Sequence, residues 1–114
     1  MAIPNYNDQQ AVVYDVSTGT IHPVGGVQVN PQAGNYTPTI VDHYIEFSAT
    51  AIVTLDSTLP AGKMFCIKFT AASGALTFTP TSGLIDGNAT QILIATPNPP
   101  SVDVIFNGTN WRII

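Results

Sequence analysis

The sequence predicts an all-β chain, in the form of a small antiparallel β-sandwich or flattened barrel. Two patterns carry that prediction: short runs that alternate apolar and polar residues, and turn-forming residues between them at regular intervals. A third observation is negative, in that no window shows an apolar face at helical spacing with caps at its ends.

The first strand is expected over 11–16, with Ser17-Thr18-Gly19 as a turn and 20–24 pairing back on it as a hairpin. Pro23 would put that second strand at an edge, because proline cannot donate to a ladder. Gly25-Gly26 breaks the pattern, and Asn30-Pro31-Gln32-Ala33-Gly34-Asn35 reads as a loop. Seven strands are then expected, over 43–47, 51–55, 64–70, 75–79, 91–96, 102–106 and 110–114. Phe65, Ile67 and Phe69 fall on one face of their strand, opposite Met64, Cys66 and Lys68. Leu76 and Phe78 alternate with Thr77 and Thr79. Ile92-Leu93-Ile94-Ala95 is apolar without a break, which predicts cover on both faces. Asn107-Gly108 sits between two apolar strands, and both residues tolerate the positive φ of a tight hairpin, which would bring Phe106 and Trp111 together.

Composition bounds the function. At 114 residues the chain fits one domain. Charged residues make up 9% of it, against about 25% in an ordinary soluble domain. Thr, Ser, Asn and Gln hold the polar positions instead, so the surface hydrogen-bonds but repels little and favours association. The net charge is −4, with Lys63, Lys68 and Arg112 the cations. No basic stripe is present to hold a nucleic-acid backbone, and an acidic surface is a poor match for anionic lipid. Residues 1–5 show no signal-peptide pattern, and no apolar run approaches the ~20 residues of a membrane-spanning helix. The single cysteine, Cys66, excludes an internal disulfide.

Catalytic constellations are thin. Asp42, His43 and Glu46 are the nearest approach to a metal site, but alternation puts His43 on one face and Asp42 and Glu46 on the other. Cys66 is expected as a half-buried structural thiol, and Asp86-Gly87 as a turn. No enzyme, cofactor or metal is therefore expected. Trp111 invites two readings, packing in a core or at a subunit interface on one hand and stacking on a sugar on the other.

Three segments together carry a resemblance. Val53-Thr54-Leu55-Asp56-Ser57-Thr58-Leu59-Pro60-Ala61-Gly62-Lys63 leads into a strand. Leu76-Thr77-Phe78-Thr79-Pro80 precedes Gly83-Leu84-Ile85-Asp86-Gly87-Asn88. The chain closes on Val102-Asp103-Val104-Ile105-Phe106-Asn107-Gly108-Thr109-Asn110-Trp111-Arg112-Ile113-Ile114. In order and spacing they resemble a β-module of tailed-phage virion proteins, found in fibres, spikes and head-decoration proteins, over roughly residues 43–114. The resemblance implies a homotrimer in the virion, made in the host cytoplasm. The first 40 residues depart from that pattern. The expected organisation is an N-terminal arm over 1–36, extended and capsid-attaching, and a β-domain over 37–114. A chain that starts at Met1 and shows no fibre shaft is expected to be a small capsid decoration (cement) protein, with the major capsid protein as partner. Its expected capsid or subunit interface residues are Ile3, Tyr6, Val12, Val13, Tyr14 and Trp111. The alternatives are a short tail-fibre, baseplate or collar component, and a glycan-binding β-module working through Trp111.

Overall fold

A computed structural model of the chain describes Val12–Asp15, Thr20–Pro23 and residues 28–114. Among the described residues the structure is all-β, with no helix. Strands β1 (Val12–Asp15) and β2 (Thr20–Pro23) pair antiparallel as expected, Val12 opposite Pro23 and Asp15 opposite Thr20. The remaining strands are β3 (Val29–Gln32), β4 (Tyr44–Phe47), β5 (Ala51–Leu55), β6 (Met64–Phe69), β7 (Ala75–Pro80), β8 (Gln91–Ile94), β9 (Ser101–Phe106) and β10 (Trp111–Ile113). They form a five-stranded sheet, β10-β9-β6-β4-β3, and a three-stranded sheet, β5-β7-β8.

The sheets are mixed in direction, which corrects the antiparallel expectation. β3 runs parallel to β4, β4 to β6, and β5 to β7. The cause lies in the order of connections. From β4 to β7 each successive strand goes to the other sheet and reverses direction, so every second strand lies beside its predecessor but one and runs the same way. β5 is thus part of the crossover that joins the parallel pair β4 and β6. Alternation along a strand says which face is buried, not which neighbour it pairs with.

The alternating faces are buried as read. Phe65, Ile67 and Phe69 of β6, Leu76 and Phe78 of β7, and Val104 and Phe106 of β9 all enter one apolar cluster. Ile45 and Phe47 of β4, Val53 and Leu55 of β5, and Ile85 and Trp111 complete it from both sheets. Burial of a Leu, Ile, Val or Phe side chain contributes roughly 1.5–3 kcal/mol relative to exposure, so this shared cluster is the main force joining the two sheets.

Residues 30–32, expected in a loop, lie in strand β3 instead. Pro31 is accommodated because β3 is the outer strand of its sheet, where one side needs no ladder donor. Tyr36 follows with a parallel bridge to Val53, its N–H donating to Ile52 O at 3.1 Å. Residues 29–32 and Tyr36 are therefore hydrogen-bonded to the strands that follow them.

The turn at residues 85–88 has the form expected. Asp86 and Gly87 both have positive φ, 48° and 79°, and Ile85 and Asn88 exchange backbone hydrogen bonds at 2.8 and 2.9 Å. At the last hairpin only Gly108, at φ 98°, takes the left-handed region. Asn107 contributes through its side chain, whose Oδ1 accepts from the backbone N–H of Thr109 and Asn110 at 2.9 and 2.8 Å.

Candidate interaction surface

Trp111 is the one expected contact residue whose side chain is described, and the structure places it inside the chain. It is 0% exposed. Its ring stacks on Phe65 at 5.9 Å between centroids and lies tilted against Phe106 at 5.0 Å. The indole N–H donates to Ser57 Oγ at 3.2 Å, so the one polar atom of the buried ring is satisfied. Within the folded chain the ring is packed in the core and presents no exposed surface for stacking on a sugar. The other five fall elsewhere: Ile3 and Tyr6 lie outside the described residues, and Val12, Val13 and Tyr14 lie on β1, whose backbone alone is described.

Around Trp111 the edge of the five-stranded sheet is closed. Trp111 N–H donates to Leu84 O at 2.8 Å, and Asp86 N–H to Trp111 O at 3.1 Å. The Asp86 carboxylate accepts from Ile113 N–H at 3.1 Å. Gly83 makes this possible, because a Cβ there would stand 2.2 Å from Thr109 O.

A second polar centre lies at Asp42, which is 8% exposed. Its carboxylate accepts from Tyr36 Oη at 2.6 Å, Asn30 Nδ2 at 2.7 Å, and the Thr39 N–H and Oγ1 at 2.7 and 3.2 Å. Burial pushes the Asp42 carboxyl up, but bonds from Tyr36, Thr39 and Asn30 outweigh it and hold the carboxyl below its ordinary value. Burial, with Asp42 beside it, pushes the Tyr36 hydroxyl up. Lys63 Nζ donates to Asp42 O at 2.6 Å and Ile40 O at 3.0 Å, and sits 5.0 Å from the centre of the Phe65 ring. Burial lowers the Lys63 ammonium pKa, and the Asp42 charge opposes that shift. These bonds pin residues 39–42 so that Ile40 and Val41 project outward, 47% and 49% exposed, with Val29 alongside an open cleft of about 240 Å³. This arrangement was not readable from the sequence, because the partners of Asp42 come from three separate stretches.

Asp42, His43 and Glu46 do not come together as ligands. Asp42 is occupied as described, and Glu46 accepts from Tyr44 Oη at 2.8 Å. Among the described residues no three His, Cys, Asp or Glu side chains are grouped to hold a metal ion. Cys66 is half-buried, and burial followed by its hydrogen bond with Asp103 pushes the thiol up, away from the reactive thiolate.

The remaining candidate is the outer face of the three-stranded sheet. Ile52, Thr77 and Ile92 stand in one row across β5, β7 and β8, with Ala75 opposite Ile94 and Thr54 opposite Thr79 in neighbouring rows. Ile52 is 46%, Ile92 59% and Ile94 65% exposed. Among the described residues nothing covers the second face of 92–95: Leu93 and Ala95 pack on the core, and the two isoleucines face out. No charged side chain stands on this face. A contiguous, uncharged patch of branched aliphatic and hydroxyl side chains has the character of a protein contact surface.

No family model and no curated protein matches this chain.

Proposed function

We propose that the chain is a non-enzymatic structural protein of a tailed-phage virion, a capsid decoration (cement) protein that stabilises the head. The observation that supports this reading best is the uncharged Ile52–Thr77–Ile92 face. A charge-poor chain bearing such a face is suited to adhesion, and the ordered motifs of residues 53–63, 76–88 and 102–114 resemble the phage module. In this reading the copies associate as a homotrimer on the capsid surface. The first 27 residues attach to the major capsid protein, assisted by Val29, Ile40 and Val41 beside the point where they enter the domain. Binding only to the assembled shell stabilises that state by mass action.

The test is a chain lacking residues 1–27, a cut that spares Asn30 and its bond to Asp42. It is expected to lose the strand signal of β1 and β2 alone, to unfold as cooperatively as the full chain, and to lose binding to undecorated capsids. Full occupancy by the truncated chain would overturn the arm's role. A label on the full chain that appears on tails rather than heads would overturn the decoration role.

A further inference from the structure

The edges of the two sheets are not treated alike. β10 is closed by residues 84–86. β5 is closed by Tyr36, which donates to Ile52 O and accepts from Thr54 N–H, both at 3.1 Å. β3 carries Pro31, which removes a donor. Among the described residues, β8 has neither a covering segment nor a proline or charge: its residues are Gln91, Ile92, Leu93 and Ile94.

The register decides which groups face out from that edge. Ala95 N–H donates to Gly74 O at 3.0 Å, and Leu76 stands opposite Leu93 and Phe78 opposite Gln91. In an antiparallel ladder the hydrogen-bonded pairs alternate, so Leu93 and Gln91 bond to β7 while the N–H and C=O of Ile92 and Ile94 point away from it. The two residues whose backbone groups lie on the free edge are also the two whose side chains are most exposed on the uncharged face.

We propose that β8 pairs antiparallel with β8 of a second copy of this chain, joining the two three-stranded sheets into one across a two-fold axis. With Leu93 on the axis, Ile92 of each copy lies opposite Ile94 of the other. Both pairs then exchange N–H···O bonds, and the isoleucines meet as cross-strand β-branched neighbours. The contact is isologous, so the edge is complementary to itself without any change of register. Electrostatics at this face does not oppose the same occupant. Two copies of a chain of net charge −4 repel in general, and this face brings no like charges together. The other described edges are covered or carry proline or, in β1, the charged Asp15, so β8 of a second copy is the best-matched edge, and this two-fold pairing does not itself close a ring of three. It joins two chains, or two trimers into six, and it stands independently of the capsid reading.

The test is native mass measurement of the full chain beside the Ile92→Lys/Ile94→Lys variant. Both substitutions are at exposed side chains, so the variant is expected to keep its circular dichroism spectrum and to show half the mass of the wild type. Equal masses would overturn the pairing, and equal monomer masses would leave the edge to a strand of another protein. Leu93→Cys supplies an independent readout. It is expected to form a disulfide-linked dimer on air oxidation, which reductant dissolves and the unsubstituted chain, with Cys66 alone, does not form. Absence of that dimer would also overturn the proposal.

Discussion

On the five-stranded sheet the outward side chains include Glu46, Lys68, Asp103 and Arg112; on the three-stranded sheet they are Ile52, Thr54, Ala75, Thr77, Thr79, Ile92 and Ile94. Both sheets bury their other face in the same core. Core packing therefore cannot account for the difference, which lies in what each outer face is left to meet. The edges repeat the contrast. β10 is tied down by Leu84 and Asp86, while β8 is bare among the described residues. One side of the molecule is finished within the chain, and the other has the chemistry of an unfinished contact.

The largest expected effect is on the finished side. Trp111→Ala empties a fully buried site between Phe65 and Phe106 and removes the indole N–H that donates to Ser57 Oγ. Aromatic-to-alanine changes in cores cost about 3–5 kcal/mol, and urea unfolding is expected to show a loss of that order. A loss under about 1 kcal/mol would mean that Trp111 is not a core residue.

Asp42→Ala comes next, since it removes the charged acceptor of the part-buried Tyr36, Asn30 and Thr39 donors; hydrogen bonds to a charged group contribute roughly 1.5–3 kcal/mol. Asp42 also sets a pH dependence. Its folded pKa lies below the usual carboxylate value of 3.8. Its contribution to stability is then present above that value and lost as pH falls through the lower, folded one. Asp42→Asn is expected to flatten the acid side of the stability curve. An unchanged acid limb would count against the carboxylate's role.

Gly83→Ala is expected to follow, at roughly 1–3 kcal/mol, through positive φ and the close approach of Thr109 O. A variant as stable as the wild type would mean that the β10 edge is not held by this approach. Smallest of all is Ile92→Lys, expected to change the stability of the unpaired chain by no more than about 0.5 kcal/mol, as for a surface position. That contrast with Trp111 sharpens the comparison, since both are apolar residues on outer strands of their sheets.

How much of this was legible in the sequence depends on the range of the interaction. The strands and their buried faces were readable, because the period of two is local, and Phe65, Ile67 and Phe69 lie where it puts them. The turn at Asp86-Gly87 was readable because it depends on two adjacent residues. Strand direction was not, because the parallel pairing of β4 with β6 is set by β5 crossing to the other sheet. The exposure of Ile92 and Ile94 was hidden for a similar reason, since a run of apolar residues does not reveal that a chain buries only half of them. Pro31 reads as loop because it stands in a cluster of turn formers with Asn30, Gly34 and Asn35, and its place on an outer strand is a tertiary fact. The Asp42 centre joins residues 3, 6 and 12 positions apart with Lys63 farther along, a spacing that matches no local pattern.

Amide hydrogen exchange, resolved by residue and repeated over a range of protein concentration, tests the difference between the two sides most directly. The N–H groups of Trp111 and Ile113 are bonded within the chain and are expected to be protected at every concentration. Those of Ile92 and Ile94 are expected to exchange fast in dilute solution and to gain protection as concentration rises. Fast exchange of Ile92 and Ile94 at all concentrations would contradict the account, as would protection already complete in the most dilute sample.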